Sequence, residues 1–554
     1  DKITLDDGRS NQNPDPAIHP NGNVFDLTNL FRGGDTVANV TGVMDYSFGL
    51  YRIQPTQGAD YTNANPRTAE PEDVGSNLKV ASFNVLNYFS TIDQGSSYWI
   101  CGPAQNQECR GADDAGEFTR QRDKIIAAIS AIDADVVGLL EIENNINDDA
   151  VIDLVNGLND ANGLGTYDYV STGAIGTDAI KVALIYKPAS VDLVGSYAVL
   201  DSLVDSRFID TKNRPTLAQT FMDSSTGGVF TVTVNHLKSK GSDCNDLGDF
   251  DLGDGAGNCN LTRKAAAEAL VDWLAGDPTG SGDADFLIIG DLNSYDKEDP
   301  IDAILAGGYT DMAYAFMGED AYSYVFDGQT GYLDYALASS NLVAQITGVT
   351  DWHINADEAD LIDYDTSFKL AAQDAIYEPD AYRSSDHDPV IIGLNLEISP
   401  RLAKQYVLDK LVSLQATIPN GHDAEKLDEA IHHLTLSLKP SLWVDNDHVS
   451  AKHGQKVFEE EKNAVNKLND IVKDSRGTVP DEIVLSYANL LISADRMLAQ
   501  VAIDDAIALS GNPKNIAKAQ DTLAKGDSFL AAGKTEAAIE QYRNAWNHAL
   551  KAVK

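Results

Sequence analysis

The sequence predicts an α+β protein in three parts: a short β region over residues 1–76, a layered α+β sandwich over 77–399 and an all-helical domain over 400–554. Three observations predict it. Between residues 78 and 398, six segments (LKVASFN, DVVGLLEIE, AIKVALIYKP, VFTVTVNHL, FLIIGDLN and PVIIGLNLE) each carry five or more largely apolar residues, the pattern of strands covered on both faces. Amphipathic stretches such as RQRDKIIAAISAI and RKAAAEALVDWLAG alternate with them, as a layered architecture requires. After Pro400 the strand signals stop and a 3.6-residue period takes over.

The β region rests on two short runs, TVANVTGVMDYSF at 36–48 and GLYRIQP at 49–55, set off by Gly, Asn and Pro turns. These strands are too few to close a barrel, so the region either packs on the next domain or ends a longer module. Residues 62–77 are polar, contain Pro66 and Pro71, and read as a linker. The opening DKITLDDGRS lacks the basic and apolar blocks of a signal peptide, so an exported protein would be present here in processed form. In the last part LAKQYVLDKLVSL, GQKVFEEEKNAVNKLNDIVKD, EIVLSYANLLISADRMLAQVAIDDAIAL and TEAAIEQYRNAWNHALKAVK read as helices, with breaks at Pro419-Asn420-Gly421, Pro480 and Gly511-Asn512-Pro513. GDSFLAAGKTEAAIEQYRNAW resembles a single tetratricopeptide-like hairpin, with no fixed-period array around it.

Charge is distributed unevenly. The chain carries a formal net charge of −44, of which −42 lies before Arg401 and −2 from Arg401 onward. Such an acidic surface repels nucleic acid and anionic membranes at long range and attracts cations, so a polyanionic substrate needs a local basic or metal-bearing cleft. The alternative is that the acidity serves solubility alone. No apolar run approaches the roughly 18 residues of a membrane span. The four cysteines fall into two close pairs, Cys101 with Cys109 and Cys244 with Cys259, in polar Gly-rich loops without CxxC spacing. Two local disulfides in an oxidising compartment follow, and with them an extracellular location, secreted or at the cell surface.

Five apolar runs in the sandwich end in polar groups that a core does not need: Asn84 in ASFNVLNYF, Glu141 in VVGLLEIE, His236 in TVNHLKSKG, Asp291 and Asn293 in IIGDLN, and Asp386 with His387 in SSDHDPVII. Carboxylates at the mouth of a sheet cost several kcal/mol unless paired or bound to a metal. An oxygen-rich set with an Asn suits Mg²⁺, Mn²⁺ or Ca²⁺ better than zinc.

The order of these fragments resembles the endonuclease/exonuclease/phosphatase superfamily, the metal-dependent phosphoesterases related to pancreatic-type deoxyribonuclease, over about 78–398. CGPAQNQECRGADDAGEFTRQRDKI, LLEIENN, GTDAIKVALIYKP, NRPTLAQTF, NHLKSKGSDC, GDGAGNCN and SSDHDPV are most similar to large secreted bacterial nucleases. The resemblance implies a four-layer sandwich of two packed β-sheets flanked by helices, and an N-terminal β region that ends a truncated barrel-like module. It implies Glu141 as the principal metal carboxylate with Asn84 and Asp386 at the metal, which is Mg²⁺ in first place. It further implies Asp291 and Asn293 as orienting groups for the attacking water and a phosphate oxygen, His387 as general base held by the Asp334 of GYLDYALAS, and His236 as donor to the phosphate or leaving oxygen. Only four of the ten histidines precede residue 400, and His236 and His387 are two of them.

In-line attack on a phosphodiester builds charge on the equatorial and leaving oxygens, which calls for a cation and placed donors. Asp334 has a simpler reading as a strand charge. Arg214 in KNRPTLAQTF reads as a phosphate contact or a surface hairpin arginine, and Lys238 and Lys240 as local positive charge or solvated lysines. In CNDLGDFDLGDGAGNC, Asp249, Asp251 and Asp254 stand at oxygen-ligand spacing for a structural Ca²⁺, or form an acidic turn closed by a disulfide. The expected activity is nuclease, on DNA with RNA as a further substrate. A phosphatase or phospholipid phosphodiesterase is the alternative within the superfamily, and an adhesion or matrix protein the alternative outside it. The helical domain is expected to bind another protein, the cell surface or itself.

Overall fold

The strand Phe286–Asp291 carries the logic of the sandwich: it is buried along its whole length and its side chains alternate between two different neighbours. Phe286 and Ile288 pack with Ala266, Leu270 and Leu274 of the helix Asn260–Ala275. Ile289 faces the other way, toward Gly138 of a second sheet, where a Cβ would stand 2.7 Å from Ile289 Cδ1 and 2.9 Å from Val234 Cγ2. Only a residue without a side chain lets the sheets close at this point. Beyond the second sheet, Phe83 and Leu139 pack against Ile125, Ile129 and Leu154 of the helices Ala115–Ile132 and Asp149–Asn162. Helix, sheet, sheet and helix make the four layers, and the α+β sandwich is as expected.

The computed structural model describes residues 2–11, 13–95, 98–396, 399–418, 421–473 and 479–553. Pro419 and Asn420 of one expected break, and residues 397–398 at the expected domain edge, lie outside them. One six-stranded sheet has the spatial order Asp168–Tyr169, Ile180–Tyr186, Val136–Glu143, Leu78–Tyr88, Val390–Leu394, Ile346–Asp351. The other runs Val191–Leu200, Arg214–Asp223, Val229–His236, Phe286–Asp291, Asp334–Ser339, Tyr309–Asp311. Each sheet has a parallel pair, Leu78–Tyr88 with Val136–Glu143 and Val229–His236 with Phe286–Asp291, and Asn84, Glu141, His236 and Asp291 lie in the C-terminal halves of these strands.

The chain divides into two compact units, Asp1–Met222 with Phe230–Asn395, and Asp223–Val229 with Leu396–Lys554. In the first, the N-terminal strands Thr4–Leu5, Gly42–Ser47 and Leu50–Pro55 form a small sheet. The segment 62–77, expected as a linker, is docked. Arg67 pairs with the buried Glu358 at 2.6 Å and stacks on Tyr382, while the Thr68 carbonyl accepts from Tyr382 Oη and Trp352 Nε1. The reason is electrostatic: Glu358 is a buried carboxylate that Arg32 and Arg67 neutralise together.

In the second unit the described residues form six α-helices: Pro400–Gln415, His422–Ser437, Gln455–Lys473, Asp481–Ala508, Pro513–Ala531 and Thr535–Ala552. His422–Ser437 and Pro513–Ala531 add to the expected set, the second anticipated only in its last residues by the tetratricopeptide-like hairpin; His422–Ser437 follows the same rule, burying Leu427, Ala430 and Leu434 on one stripe. The core of this unit also holds Lys404, whose Nζ lies 2.8 Å from Asp495 and 3.8 Å from Glu461, all three fully buried. No described helix is long and apolar enough to cross a membrane.

Candidate active site

Sheet register assembles half of the site. His236 is paired with Asp291, and Asp291 with Asp334, so three of the expected residues form one row across three neighbouring strands. His236 Nε2 stands 3.6 Å from Asp291 Oδ2 and 3.9 Å from Glu141 Oε1. Asn293, at φ 48°, turns the chain just past the strand; its amide N–H donates to Asp291 Oδ1 at 2.8 Å and its Nδ2 to the Leu237 carbonyl at 3.1 Å.

The opposite sheet supplies Glu141 through two irregularities. Glu141 has a left-handed backbone, φ 61°, where its strand slips register against Ile180–Tyr186, and Leu86 and Asn87 bulge with φ 48° and 49° beside it. Such bulges re-aim side chains at sites. Here they let Asn84 Nδ2 and the Asn87 N–H each donate to the Glu141 carboxylate at 3.2 Å.

His387 comes from the loop before the strand Val390–Leu394. Its Nδ1 lies 2.7 Å from Asp334 Oδ2, whose other donor is Ser323 Oγ at 2.8 Å, and its Nε2 is 4.0 Å from Asp291 Oδ2. Asn355 fixes the loop by donating to the His387 carbonyl at 2.7 Å, and the Tyr324 ring stacks on the imidazole with centroids 4.5 Å apart. Burial disfavours charge on His387, but the carboxylates of Asp334 and Asp386 outweigh it and hold the imidazole well above its usual range. Burial, then Arg214 and His387, drive the His236 pKa the other way.

Glu141, Asp291, Asp386 and both histidines line one cleft of about 780 Å³. Burial, then the neighbouring Asp386, raises the Glu141 carboxyl, and burial pushes Asp291 up to about 7. This is a set of oxygen donors whose negative charge is short of cations, as a hard divalent ion requires. Among the described residues no group of three or more His, Cys, Asp or Glu side chains is placed to hold a metal ion by itself.

The remaining expected residues separate. Arg214 is buried at the site, 3.4 Å from His236 Nε2, and ion-paired to Asp178 at 3.1 Å. Lys240 is committed to Glu298 and lies over the Tyr295 ring, while Lys238 makes no side-chain ion pair among the described residues. Asp249, Asp251 and Asp254 are not gathered into a calcium site. Asp249 caps the helix Asn260–Ala275 by accepting from Thr262 N at 2.7 Å, and Asp251 and Asp254 accept from amides of their own loop, Gly253 and Ala256. An orphan helix start claims the first carboxylate before a cation can. Both cysteine pairs are bonded as expected, with Cα atoms 5.1 Å apart for Cys101–Cys109 and 5.3 Å for Cys244–Cys259. Ser323, Tyr324 and Asn355 were not legible in the sequence, because Ser323 and Asn355 sit in loops and Tyr324 opens a strand of only three residues, too short to show a period.

The Endonuclease/Exonuclease/phosphatase family profile matches residues 81–387, more than half of the chain, and the chain belongs to this family. It is a phosphoester hydrolase by class. Similar solved structures include the mannosyl-6-phosphatase Bt3783 of Bacteroides thetaiotaomicron, 18% identical, covering 58% of this chain and 100% of that one, with a TM-score of 0.37. The human Nocturnin catalytic domain is 14% identical over 58% of this chain and 94% of its own, with a TM-score of 0.34. TDP2 of D. rerio complexed with single strand DNA product is 12% identical over 57% and 98%, also with a TM-score of 0.34. No curated protein sequence matches the chain.

Proposed function

We propose that the protein is a secreted, metal-dependent phosphodiesterase that hydrolyses extracellular nucleic acid, DNA above all and RNA as a further substrate. The observation that carries this reading is the make-up of the cleft. Tyr295, Tyr314, Tyr324 and Phe326 line it together with His387, and aromatic side chains next to a hydrolytic centre suit nucleobases. The two bonded cysteine pairs support an oxidising, extracellular setting.

In this reading His387, in its neutral form with the proton on Nδ1, takes a proton from the attacking water at Nε2, and Asp334 on Nδ1 keeps the ring in that tautomer and orientation. Asp291 and Asn293 orient the water and a phosphate oxygen. His236 and Arg214, in contact with each other, donate to the phosphate and the departing oxygen. Glu141, with Asn84 and Asp386, would hold the divalent ion, Mg²⁺ in first place and Mn²⁺ or Ca²⁺ otherwise, which supplies positive charge where the phosphoryl oxygens become more negative.

A second reading has an observation of its own. Phe326 is 65% exposed at the cleft mouth, as a phospholipid phosphodiesterase would need to enter a membrane surface. Plasmid DNA, RNA, phosphatidylcholine vesicles and bis(p-nitrophenyl) phosphate, each with and without EDTA, separate the two. Nucleic acid cleavage that stops in EDTA and falls at least about 100-fold in His387→Ala is expected. Cleavage confined to vesicles, or unaffected by EDTA, sinks the nuclease assignment.

A further inference from the structure

Beside the hydrolytic centre two arginines and a lysine gather, in a chain whose first 400 residues carry −42. Arg214 bridges from His236 to Asp178, its NH1 3.4 Å from His236 Nε2 and its Nε 3.1 Å from Asp178 Oδ2. On the other oxygen of the same carboxylate lies Arg110 NH2, at 3.4 Å, with a side chain 42% exposed. Lys238, two residues past His236, is anchored through its backbone N–H to Asn213 and has no ion pair among the described residues. Lys212 is committed to Asp246 at 2.7 Å. Two guanidiniums therefore share the single carboxylate of Asp178, with the unpaired Lys238 two residues from His236.

The cluster is held in place by its own framework. Arg110 directly follows Cys109 of the Cys101–Cys109 bridge. The bridged hairpin docks on residues 177–179, with Gln107 donating to the Thr177 carbonyl and accepting from the Ala179 N–H. Gly111, at φ 85°, has no room for a side chain: a Cβ would stand 2.4 Å from the Asn87 carbonyl, and the Asn87 N–H is the one that holds Glu141. Arg110 is thus tied both to the second guanidinium and to the chain that carries the metal carboxylate.

We propose that Arg110, Lys238 and the outer edge of Arg214 form a second anion subsite, which takes the phosphate next to the scissile one in a nucleotide chain. The substrate class is then an oligo- or polynucleotide rather than an isolated phosphoester, an inference that rests on the phosphodiesterase reading above. A guanidinium pair and an ammonium with unmatched charge are the donors that phosphate oxygens select.

The test uses the full chain and thymidine dinucleotides that carry one internal phosphate (TpT) or an added terminal one (pTpT and TpTp). One of the two terminally phosphorylated forms should be cleaved with about tenfold higher kcat/KM than TpT, the worth of one hydrogen bond to a charged group. Arg110→Ala should remove most of that advantage through KM, and Arg110→Lys should restore part of it, with melting followed to confirm that the hairpin is intact. If TpT is cleaved but neither terminal phosphate helps, or if Arg110→Ala keeps the full advantage, the subsite is refuted while the phosphodiesterase reading stands. If wild-type protein cleaves none of the three, nor bis(p-nitrophenyl) phosphate, both fall.

Discussion

Asp334 shows how one carboxylate works through another group. It touches His387 Nδ1 and Ser323 Oγ and does not reach the cleft floor, so its effect on a substrate passes through the imidazole. Asp334→Asn should therefore lower kcat by about 10² to 10⁴ with KM little changed. The melting point should hold, since Asn still accepts from Ser323. A variant with normal kcat would show that His387 is not the proton acceptor. A second residue-scale prediction concerns Glu461 in the helical unit. Burial raises its carboxyl to about 7, against the partial relief of Lys404, which sits closer to Asp495. The folded state then binds more protons than the unfolded one between about pH 4.5 and pH 7, so this group's contribution to stability is greatest at the acid end and is lost as pH rises. Glu461→Gln should stabilise the helical unit at pH 8 and flatten its pH dependence by up to about 1.4 kcal/mol per pH unit. Denaturation followed at pH 5 and pH 8 checks it, and an unaltered slope would falsify the assignment. Glu141, His236, Asp291 and Asn293 were legible because each falls at the end of an apolar run where a core residue is expected, and His387 because it stands just before one. Arg110 gave no such signal, since an arginine after a loop cysteine has many ordinary uses.

Among elements, the disulfide hairpin Trp99–Glu108 matters beyond its size. A loop of eight residues is closed by Cys101–Cys109 and one of fifteen by Cys244–Cys259, each worth about 2 to 3 kcal/mol in the chain-entropy account. The first holds the Gln107 docking that fixes Thr177 and Ala179, and so the Asp178 between them. Cys101→Ser with Cys109→Ser should lower the melting point and weaken nucleic acid hydrolysis more than hydrolysis of bis(p-nitrophenyl) phosphate. Equal losses on both substrates would mean that the hairpin acts on the hydrolytic centre as a whole. Mapping under non-reducing conditions should recover the two local pairs and no crossed ones.

At the scale of the molecule, none of the residues lining the catalytic cleft lies beyond residue 387. The helical unit has its own core, from Val407 and Leu434 through Leu491 to Trp546. A chain ending at residue 396 should therefore keep its activity on TpT within a few-fold of the full protein, and a loss as large as that of His387→Ala would overturn the division of labour.

Local patterns in the chain were enough to specify the α+β class, the change to helices after Pro400, the two cysteine pairs and most of the strand-end residues. These features are written in spacings of two, in spacings near 3.6 and in close sequence neighbours, all of which a short window contains. What convergence across long separations decided is different in kind. Register placed His236, Asp291 and Asp334 in one row, and a bulge with a left-handed Glu141 turned its carboxylate toward them. The same convergence docked residues 62–77 on Glu358, gave Asp249 to a helix start instead of a cation, and set Arg110 and Arg214 on one aspartate. Each outcome depends on which buried charge or unpaired amide lies within about 3 to 4 Å once the chain has closed, a competition among distant partners that no local period records.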